Sequence, residues 1–361
     1  MLVTDGTSPG PAALPGPCRG ESGPAPADFT HLLALARSGD QQAFVGLVGP
    51  YQRELQVHCY RMLGSIQDAE DVMQEVLVRA WRHLDRFEHR SSVRNWLYRI
   101  ATNRCLTFQA RAATTPAFGT GLVLPRPNAT EVEVVALQPY PDSRLDHLPE
   151  HDPQARYDLQ ESVDLAFLST IQLLPARQRA VLLLRDVLAF SAAETAGLLD
   201  TTVAAVNSAL QRGRAVLQEH RASGRLRPER PAASSAAERS ILDRYLAAWH
   251  ACDIPALVAL LREDALLTMP PFPMAYRGRE AIAQFFATVP AGGRLDQIIL
   301  VPIRANRQPA VAAYVHDPGS GKAIAYGIMV FTIGGTMIGE ITGFADPALF
   351  PFFGLPDHLE S

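Results

Sequence analysis

Residues 68–108, DAEDVMQEVLVRAWRHLDRFEHRSSVRNWLYRIATNRCLTF, constrain this chain more than any other stretch, because they read as two amphipathic helices joined by a short polar loop and bearing opposite charge. In the first half Val72, Met73, Val76, Leu77, Ala80, Trp81 and Leu84 recur three and four apart, which places them on one side of a helix. Asp68, Glu70, Asp71 and Glu75 then project from the other side. In the second half Val93, Trp96, Leu97, Ile100 and Ala101 form the buried stripe, and Arg90, Arg94, Arg99, Arg104 and Arg111 supply charge with no Asp or Glu between His89 and Thr130. An acidic stripe is by itself compatible with a solvated helix face. An uncompensated run of arginines calls for an anion.

The 361 residues suffice for two or three domains, each with its own core. A net charge of -4 conceals this local concentration of basic charge, which is almost all arginine: Lys322 is the only lysine. Guanidinium groups make planar, bidentate contacts to phosphates and base edges. Cys18, Cys59, Cys105 and Cys252 lie far apart with no metal-ligand spacing, so neither a zinc site nor a disulfide framework is expected, and no other cofactor is. No basic segment followed by an apolar run opens the chain and no stretch reaches the length of a membrane span, so a cytoplasmic protein without membrane contact is expected.

Residues 1–27, rich in Pro, Gly, Ala and Ser, read as a disordered tail. Residues 28–112 read as one helical unit, with Asp40 as an N-cap and Gly64 as a stop. Periodicity then disappears over residues 113–158, where prolines recur and acids outnumber arginines by five between 131 and 160. This reads as an acidic linker, solvated and self-repelling. Over 159–222 helices resume, with Ser191 and Glu194 placed as a capping box before a short helix, a tight turn at Asp200 and Thr201, and a longer helix from Val203 to about Leu217. That is the layout of a helix-turn-helix, and equally of a generic helical hairpin; no acid lies between Asp200 and Glu219.

Beyond a second joint at 223–237, residues 238–350 begin with helices, one carrying Leu257, Leu260 and Leu261, and continue into β-rich runs at 297–303, 310–314, 323–333 and 337–342. An α+β cone follows, with a curled sheet wrapped on its helices. The final segment, 351–361, is entered through ITGFADPALFPFFGLP, residues 341–356, whose Phe350, Phe352, Phe353 and Leu355 are expected to pack on the cone or on the helical regions.

Residues 28–222 resemble the bacterial sigma-70 family, specifically the short extracytoplasmic-function (ECF) sigma factors that retain regions 2 and 4. The resemblance rests on DAEDVMQEVLVRAW, RFEHRSSVRNWLYRIATNRCL and LPARQRAVLLLRDVL…SAAETAGLLDTTVAAVNSALQRGRAVL, three long matches in order. It implies that Asp68, Glu70, Asp71, Gln74 and Glu75 bind core RNA polymerase at the β′ clamp helices, and that region 4 meets the β flap. It implies minus-10 promoter contacts from Glu88, His89, Arg90, Ser91, Arg94, Arg99, Asn103 and Arg104, with Trp96 left to the core. Minus-35 contacts fall to Thr201, Thr202, Asn207, Ser208, Gln211, Arg212 and Arg214. The acidic linker would thread the RNA path of the polymerase. Thr107 stands where the family commonly has an acid, and Gly213 interrupts the recognition helix at a cost of about 1 kcal/mol relative to Ala.

Residues 238–350 resemble the SnoaL-like branch of the NTF2-like fold through DRYLAAWHACDIPALVALLREDALLTMPPFPMAYRGREAIAQFF. The implied architecture is therefore multidomain: two all-α sigma domains, a region 2 bundle and a region 4 helix-turn-helix, plus a C-terminal α+β NTF2-like cone. The implied function is transcription initiation without covalent chemistry, with the C-terminal domain tuning activity. Trp249, His250, Asp264, Tyr276 and Tyr326 are candidates to line a cavity for a small ligand, and an anti-sigma factor is a further partner that the resemblance allows. A ligand-responsive helix-turn-helix regulator and an enzyme on the NTF2-like domain remain the rival readings, because fold alone does not set activity.

Overall fold

The computed structural model describes residues 26–87, 92–112, 125–130, 132, 134–145, 163–222 and 235–360. The expected N-terminal tail up to residue 25, the loop Glu88, His89, Arg90 and Ser91, and the acids Glu131, Glu133, Asp146, Glu150, Asp152 and Asp158 lie outside the described residues, while residues 26–27, expected in the tail, begin the first helix.

Local signals set the first helices. Helix α1 (Pro26–Arg37) is followed by α2 (Gln41–Leu63), which starts where the Asp40 carboxylate accepts from the backbone N–H groups of Gln42 and Ala43. It ends at Gly64, held at φ 75, a left-handed conformation that a Cβ would oppose. Helix α3 (Ile66–Arg82) is capped by Ser65, and α4 (Val93–Ala112) packs across α2 and α3. The buried stripe runs as expected through Val72, Met73, Val76 and Ala80, then Val93, Leu97 and Ala101. Trp81 and Trp96 sit at its margin, edge-on to Phe44 and tilted on Phe87 respectively.

The second helical unit comprises α5 (Leu165–Gln172), α6 (Ala176–Leu182) with a wider π-type turn at Leu183–Val187, α7 (Ala192–Leu198) and α8 (Val203–Ala222). Ser191 and Glu194 form the reciprocal capping box at the start of α7. Asp200, at φ 48, makes the turn into α8. Gly213 does not simply weaken α8. A Cβ there would come within 3.1 Å of Leu182 Cδ1, so glycine lets α6 and α8 approach closely. Buried Arg179 joins this unit to the first, donating to the carbonyls of Ile171 and Met62.

The C-terminal unit consists of α9 (Ser235–His250), α10 (Ile254–Ala259), α11 (Arg279–Thr288) and a sheet of seven strands. In chain order these are β1 (Leu261–Met269), β2 (Phe272–Arg277), β3 (Ile298–Ala305), β4 (Gln308–Asp317), β5 (Lys322–Gly334), β6 (Met337–Phe344) and β7 (His358–Leu359). The order across the sheet is β2-β1-β6-β5-β4-β3, with β7 on β5; β1 runs parallel to β6 and the other pairs are antiparallel. Residues 261–277 thus form a hairpin, where the sequence pattern suggests the end of a helix and a turn. Arg262, Glu263 and Asp264 interrupt its alternation, and its pairing with β6 is non-local.

Two cores divide the molecule. One lies inside the cone, where Tyr245, Trp249, Phe286 and Phe331 fill the space between the inner face of the sheet and its helices. The other is continuous from both helical units to the outer face of the sheet, joining Leu97, Leu168 and Leu210 to Tyr314, Ile328, Val330 and Phe344. The C-terminal phenylalanines enter this second core: Phe350 is edge-on to Tyr314, and Arg144 lies over Phe352. Part of the linker is built in as well, since Leu137, Tyr140, Asp142 and Leu145 are buried. Apolar Leu137 and Leu145 supply the packing that the acidic composition hides.

Candidate nucleic-acid interface

Helix α4 carries the arginines, and Arg94, Arg99 and Arg104 are each matched to a carboxylate within the chain. Arg94 donates through Nε and Nη2 to Glu54, at 3.1–3.2 Å, while its guanidinium lies 4.9 Å from the Tyr98 ring and 5.1 Å from that of Phe190. Arg104 pairs with Glu75 of α3, joining a basic helix to the acidic one. Arg99 Nη2 lies 2.7 Å from Asp200 Oδ1, in the turn of the helix-turn-helix. Asn95 donates to Glu194 and Asn103 to the Leu198 carbonyl, at 3.3 and 3.4 Å. The side of α4 that carries Asn95, Arg99 and Asn103 is therefore turned against α7 and the turn that follows it. Tyr98 packs edge-on against Phe190 at 5.3 Å beneath these contacts, so the closure is apolar as well as ionic. Thr107 is exposed and returns its hydroxyl to the Asn103 carbonyl.

Helix α8 is oriented differently. Thr202, Asn207, Ser208, Gln211, Arg212 and Arg214 are exposed, while Thr201 is half-buried in the turn. Thr202 Oγ1 accepts from the Ala205 N–H, and Arg212 donates to Ser208 one turn earlier. Arg214 makes two hydrogen bonds to Asp186, which raise its already high pKa. Asn207, Ser208, Gln211 and Arg212 form a continuous donor and acceptor face open to solvent, suited to base edges and phosphates.

On α3, Asp71, Gln74 and Glu75 are exposed. Asp68 is half-buried, and its pKa is raised by burial more than the Ser65 hydrogen bond lowers it. Glu70 is paired with Arg144 of the linker. Linker residue Gln138 also covers the N-terminus of α3, accepting through Oε1 from Ser65 Oγ and from Ile66 N at 2.9 Å. The first turn of the acidic helix is covered, and the later turns are open.

These units converge on Asn306, in the β3–β4 hairpin at φ 55 and fully buried. Its Nδ2 donates to Tyr60 Oη of α2 at 2.9 Å and to the Val163 carbonyl before α5 at 2.7 Å; its Oδ1 accepts from Tyr140 N of the linker at 2.7 Å. Beside it Asp142 accepts from Arg307 N and Arg304 Nε. Burial raises the Asp142 pKa and these donors oppose the rise. One side chain thus touches both helical units, the linker and the cone. Asn and Asp readily adopt the left-handed conformation, so an Asn-Arg pair between two β-rich runs is a hairpin signal, but its partners lie more than 140 residues away.

Residues 47–115 match the sigma-70 region 2 family, 164–217 the sigma-70 region 4 family and 242–338 the SnoaL-like domain family. The ECF RNA polymerase sigma factor SigG of Mycobacterium tuberculosis is 40% identical over 327 residues, covering 90% of this chain and 86% of that protein. The chain belongs to the ECF RNA polymerase sigma factors. SigW of Bacillus subtilis, another of these, is 30% identical over 52% of the chain and 93% of its own length. The crystal structure of the M. tuberculosis sigma factor SigJ, 22% identical, shares the fold with a TM-score of 0.53 over 86% of this chain and 100% of that one.

In this sigma factor the cone encloses a second site. A cavity of about 60 Å³ is bounded by Trp249, Phe286, Ala313, Tyr326, Met329 and Ile341, among others. Of the five candidate cavity residues, Trp249 and Tyr326 line it. The other three do not. His250 is exposed at the end of α9, Asp264 is paired with Arg262 at the surface, and Tyr276 donates to the Pro125 carbonyl in the linker. Trp249 on α9 and Leu267 and Met269 on β1 do border the cavity, so it is the side on which His250 and Asp264 project, and not the element that carries them, that keeps them out. Among the described residues no helix is long and apolar enough to cross a membrane.

Proposed function

We propose that this sigma factor binds core RNA polymerase through the open part of α3, places α8 on a minus-35 element and α4 on a minus-10 element, and opens the duplex there. The arrangement described above is its closed state. The two promoter elements are named for positions about 25 base pairs apart, roughly 85 Å of duplex at about 3.4 Å per pair. A chain whose Arg99 is 2.7 Å from Asp200 cannot span that distance, so α4 and α7 must separate before both elements are held. The Arg99–Asp200 contact is the single observation that carries this reading.

The SnoaL-like domain then acts as the clamp. Asn306 ties Tyr60 of region 2 to Val163 at the entry of region 4, and Gln138 and Arg144 cover the first turn of the polymerase-docking helix. Initiation thus requires release of the linker as well as separation of the two regions. RNA synthesis itself belongs to the polymerase; the working compartment is the cytoplasm, where the polymerase is. An anti-sigma factor acting on this chain would compete for surfaces that α4 and α7 already bury against each other. Run-off transcription with core polymerase tests the proposal: promoter-dependent initiation is expected, and its absence on every promoter fragment of the source chromosome would remove the reading in favour of a regulator acting without polymerase.

A further inference from the structure

Lys322 is the one lysine among 33 lysine and arginine side chains, and none of the surfaces described above uses it. It opens β5, where the last strand, β7, pairs with β5 through Ala323 and Leu359 and through Ile324 and His358. Its Nζ lies 2.9 Å from His358 Nε2 and 2.8 Å from Glu360 Oε1. An ammonium group has donors only, so Nε2 is the unprotonated nitrogen of the imidazole, and the ring proton sits on Nδ1, 2.7 Å from Asp357 Oδ1. The hydrogen bond from His358 holds Asp357 below the usual carboxylate range, and that from Lys322 does the same for Glu360. Amine, imidazole and carboxylate thus stand in series at the surface, with the lysine side chain 38% exposed. An arginine could make the same ion pair. A guanidinium is no nucleophile, however, and only an amine beside a base can take up an acyl group.

We propose that Lys322 is an acyl-acceptor site, modified by an acyl thioester, and that its acylation unfastens the C-terminal segment from the sheet. Glu360, Asp357 and Asp317, which stands opposite Lys322 across the β4–β5 hairpin, make the surroundings acidic. That disfavours an anionic acyl donor such as an acyl phosphate and leaves a thioester, whose reacting end is uncharged. The ammonium first gives one proton to solvent. Its nitrogen then attacks the thioester carbonyl carbon, so that a C–N bond forms and the C–S bond breaks. A second proton passes from the nitrogen to His358 Nε2, with Asp357 steadying the imidazolium, and on to the departing thiolate, which leaves as a thiol. The amide formed has no charge to offer Glu360, and its single N–H cannot serve Glu360 and His358 together. Strand β7 is two residues long, so these side-chain contacts weigh heavily beside its backbone pairing. Next to it the Ala325 N–H donates to the Asp357 carbonyl and the Tyr314 hydroxyl to the Pro356 carbonyl, at 2.8 and 3.1 Å. Further upstream Phe352 lies under Arg144, the partner of Glu70 on α3. Loosening this strap therefore reaches the helix assigned to the polymerase, and that last link alone rests on the proposed function.

Neither polymerase nor DNA enters the test, so its failure is distinct from failure of the initiation reading. The full chain is treated with the neutral thioester N,S-diacetylcysteamine and adducts are located by peptide mapping, with the N-terminal amine of the same molecule as internal reference. Acetylation of Lys322 is expected, and His358→Gln should slow it roughly tenfold or more relative to that reference. If this variant unseats β7, Asp357→Asn carries the same test with the ring in place, and a slowing of roughly threefold or more is expected. No adduct at Lys322 while the N-terminal amine is labelled, or equal rates in the parent and both variants, would overturn the site. Amide exchange reads the second half of the proposal. Acetylation should speed exchange at Ala325 and across residues 350–360 by roughly threefold or more while leaving α11 unchanged. Lys322→Arg, which keeps the charge without the acceptor, should take up no acetyl group there and exchange like the parent. Identical exchange in the acetylated and unmodified chains would refute the unfastening.

Discussion

Replacing Asn306 by glycine should open this sigma factor. Glycine accepts the left-handed backbone at φ 55, so the hairpin is retained and only the side-chain contacts are removed. Tyr60 Oη keeps its hydrogen bond to the Gln138 carbonyl, but the Tyr140 N–H and the Val163 carbonyl lose the partners that Asn306 provides. A buried polar group left unsatisfied costs about 1–3 kcal/mol, so the closed state loses roughly 2–6 kcal/mol while the open state, in which water reaches both groups, loses little. At about 1.4 kcal/mol per tenfold, the closed-to-open ratio falls by roughly 30-fold to about 20,000-fold. Fluorescence anisotropy with labelled random 12-nucleotide single strands would read the freed α4 surface, and Asn306→Gly should bind at least tenfold tighter than the parent chain. Faster amide exchange along α4 and α7 should accompany it. Parent-like affinity together with parent-like exchange would refute the assignment of Asn306 as the clamp.

Three further outcomes follow from other parts of the structure. Glu340, partly buried on β6, has its pKa pushed up to about 7 by burial and by Asp164, with Thr342 and Arg277 acting in the opposite direction. A carboxyl whose folded pKa is raised is fully accommodated below its unfolded value near 4.5 and destabilises progressively as pH rises through 7. Glu340→Gln should therefore melt higher than the parent at pH 8 and level with it at pH 4.5, and a pH-independent difference would contradict this. Arg212→Ala should lower affinity for duplex DNA similarly across sequences and reduce the log–log salt slope by about 1 unit, whereas an unchanged slope removes it from the phosphate contacts. Gly213→Val, forced against Leu182, should cost about 1–3 kcal/mol by denaturant unfolding; a neutral result would show that α6 and α8 can separate freely.

What could be read from the sequence was whatever depends on neighbours along the chain. Asp40, Gly64, the Ser191 and Glu194 box and the Asp200 turn act over a few residues, and the four later strands alternate clearly enough to be seen. The β1–β2 hairpin could not be read, because its stability comes from pairing with β6 across the sheet while Arg262 and Asp264 break the pattern. The closed interface was hidden for the same physical reason. Arg99 and Asp200 are each ordinary surface charges in sequence, and only the shared core from Leu97 to Leu210 brings them together. Tyr276 illustrates the limit for the cavity: its phenol is of the kind that could serve as a polar group there, but its hydroxyl is directed to the linker.

The most direct test of the closed state places a reversible bond across it. Asn95 and Glu194 meet at 3.3 Å through the tips of their side chains, so the double variant Asn95→Cys, Glu194→Cys places two thiols that a short bifunctional methanethiosulfonate reagent can join through reducible disulfides between regions 2 and 4. Run-off transcription with core polymerase would be measured with this chain before and after cross-linking. Promoter-dependent initiation before cross-linking and its loss afterwards, restored by reductant, is the expected result. Equal initiation from the cross-linked chain would show that α4 and α7 need not part, and the central claim would fall.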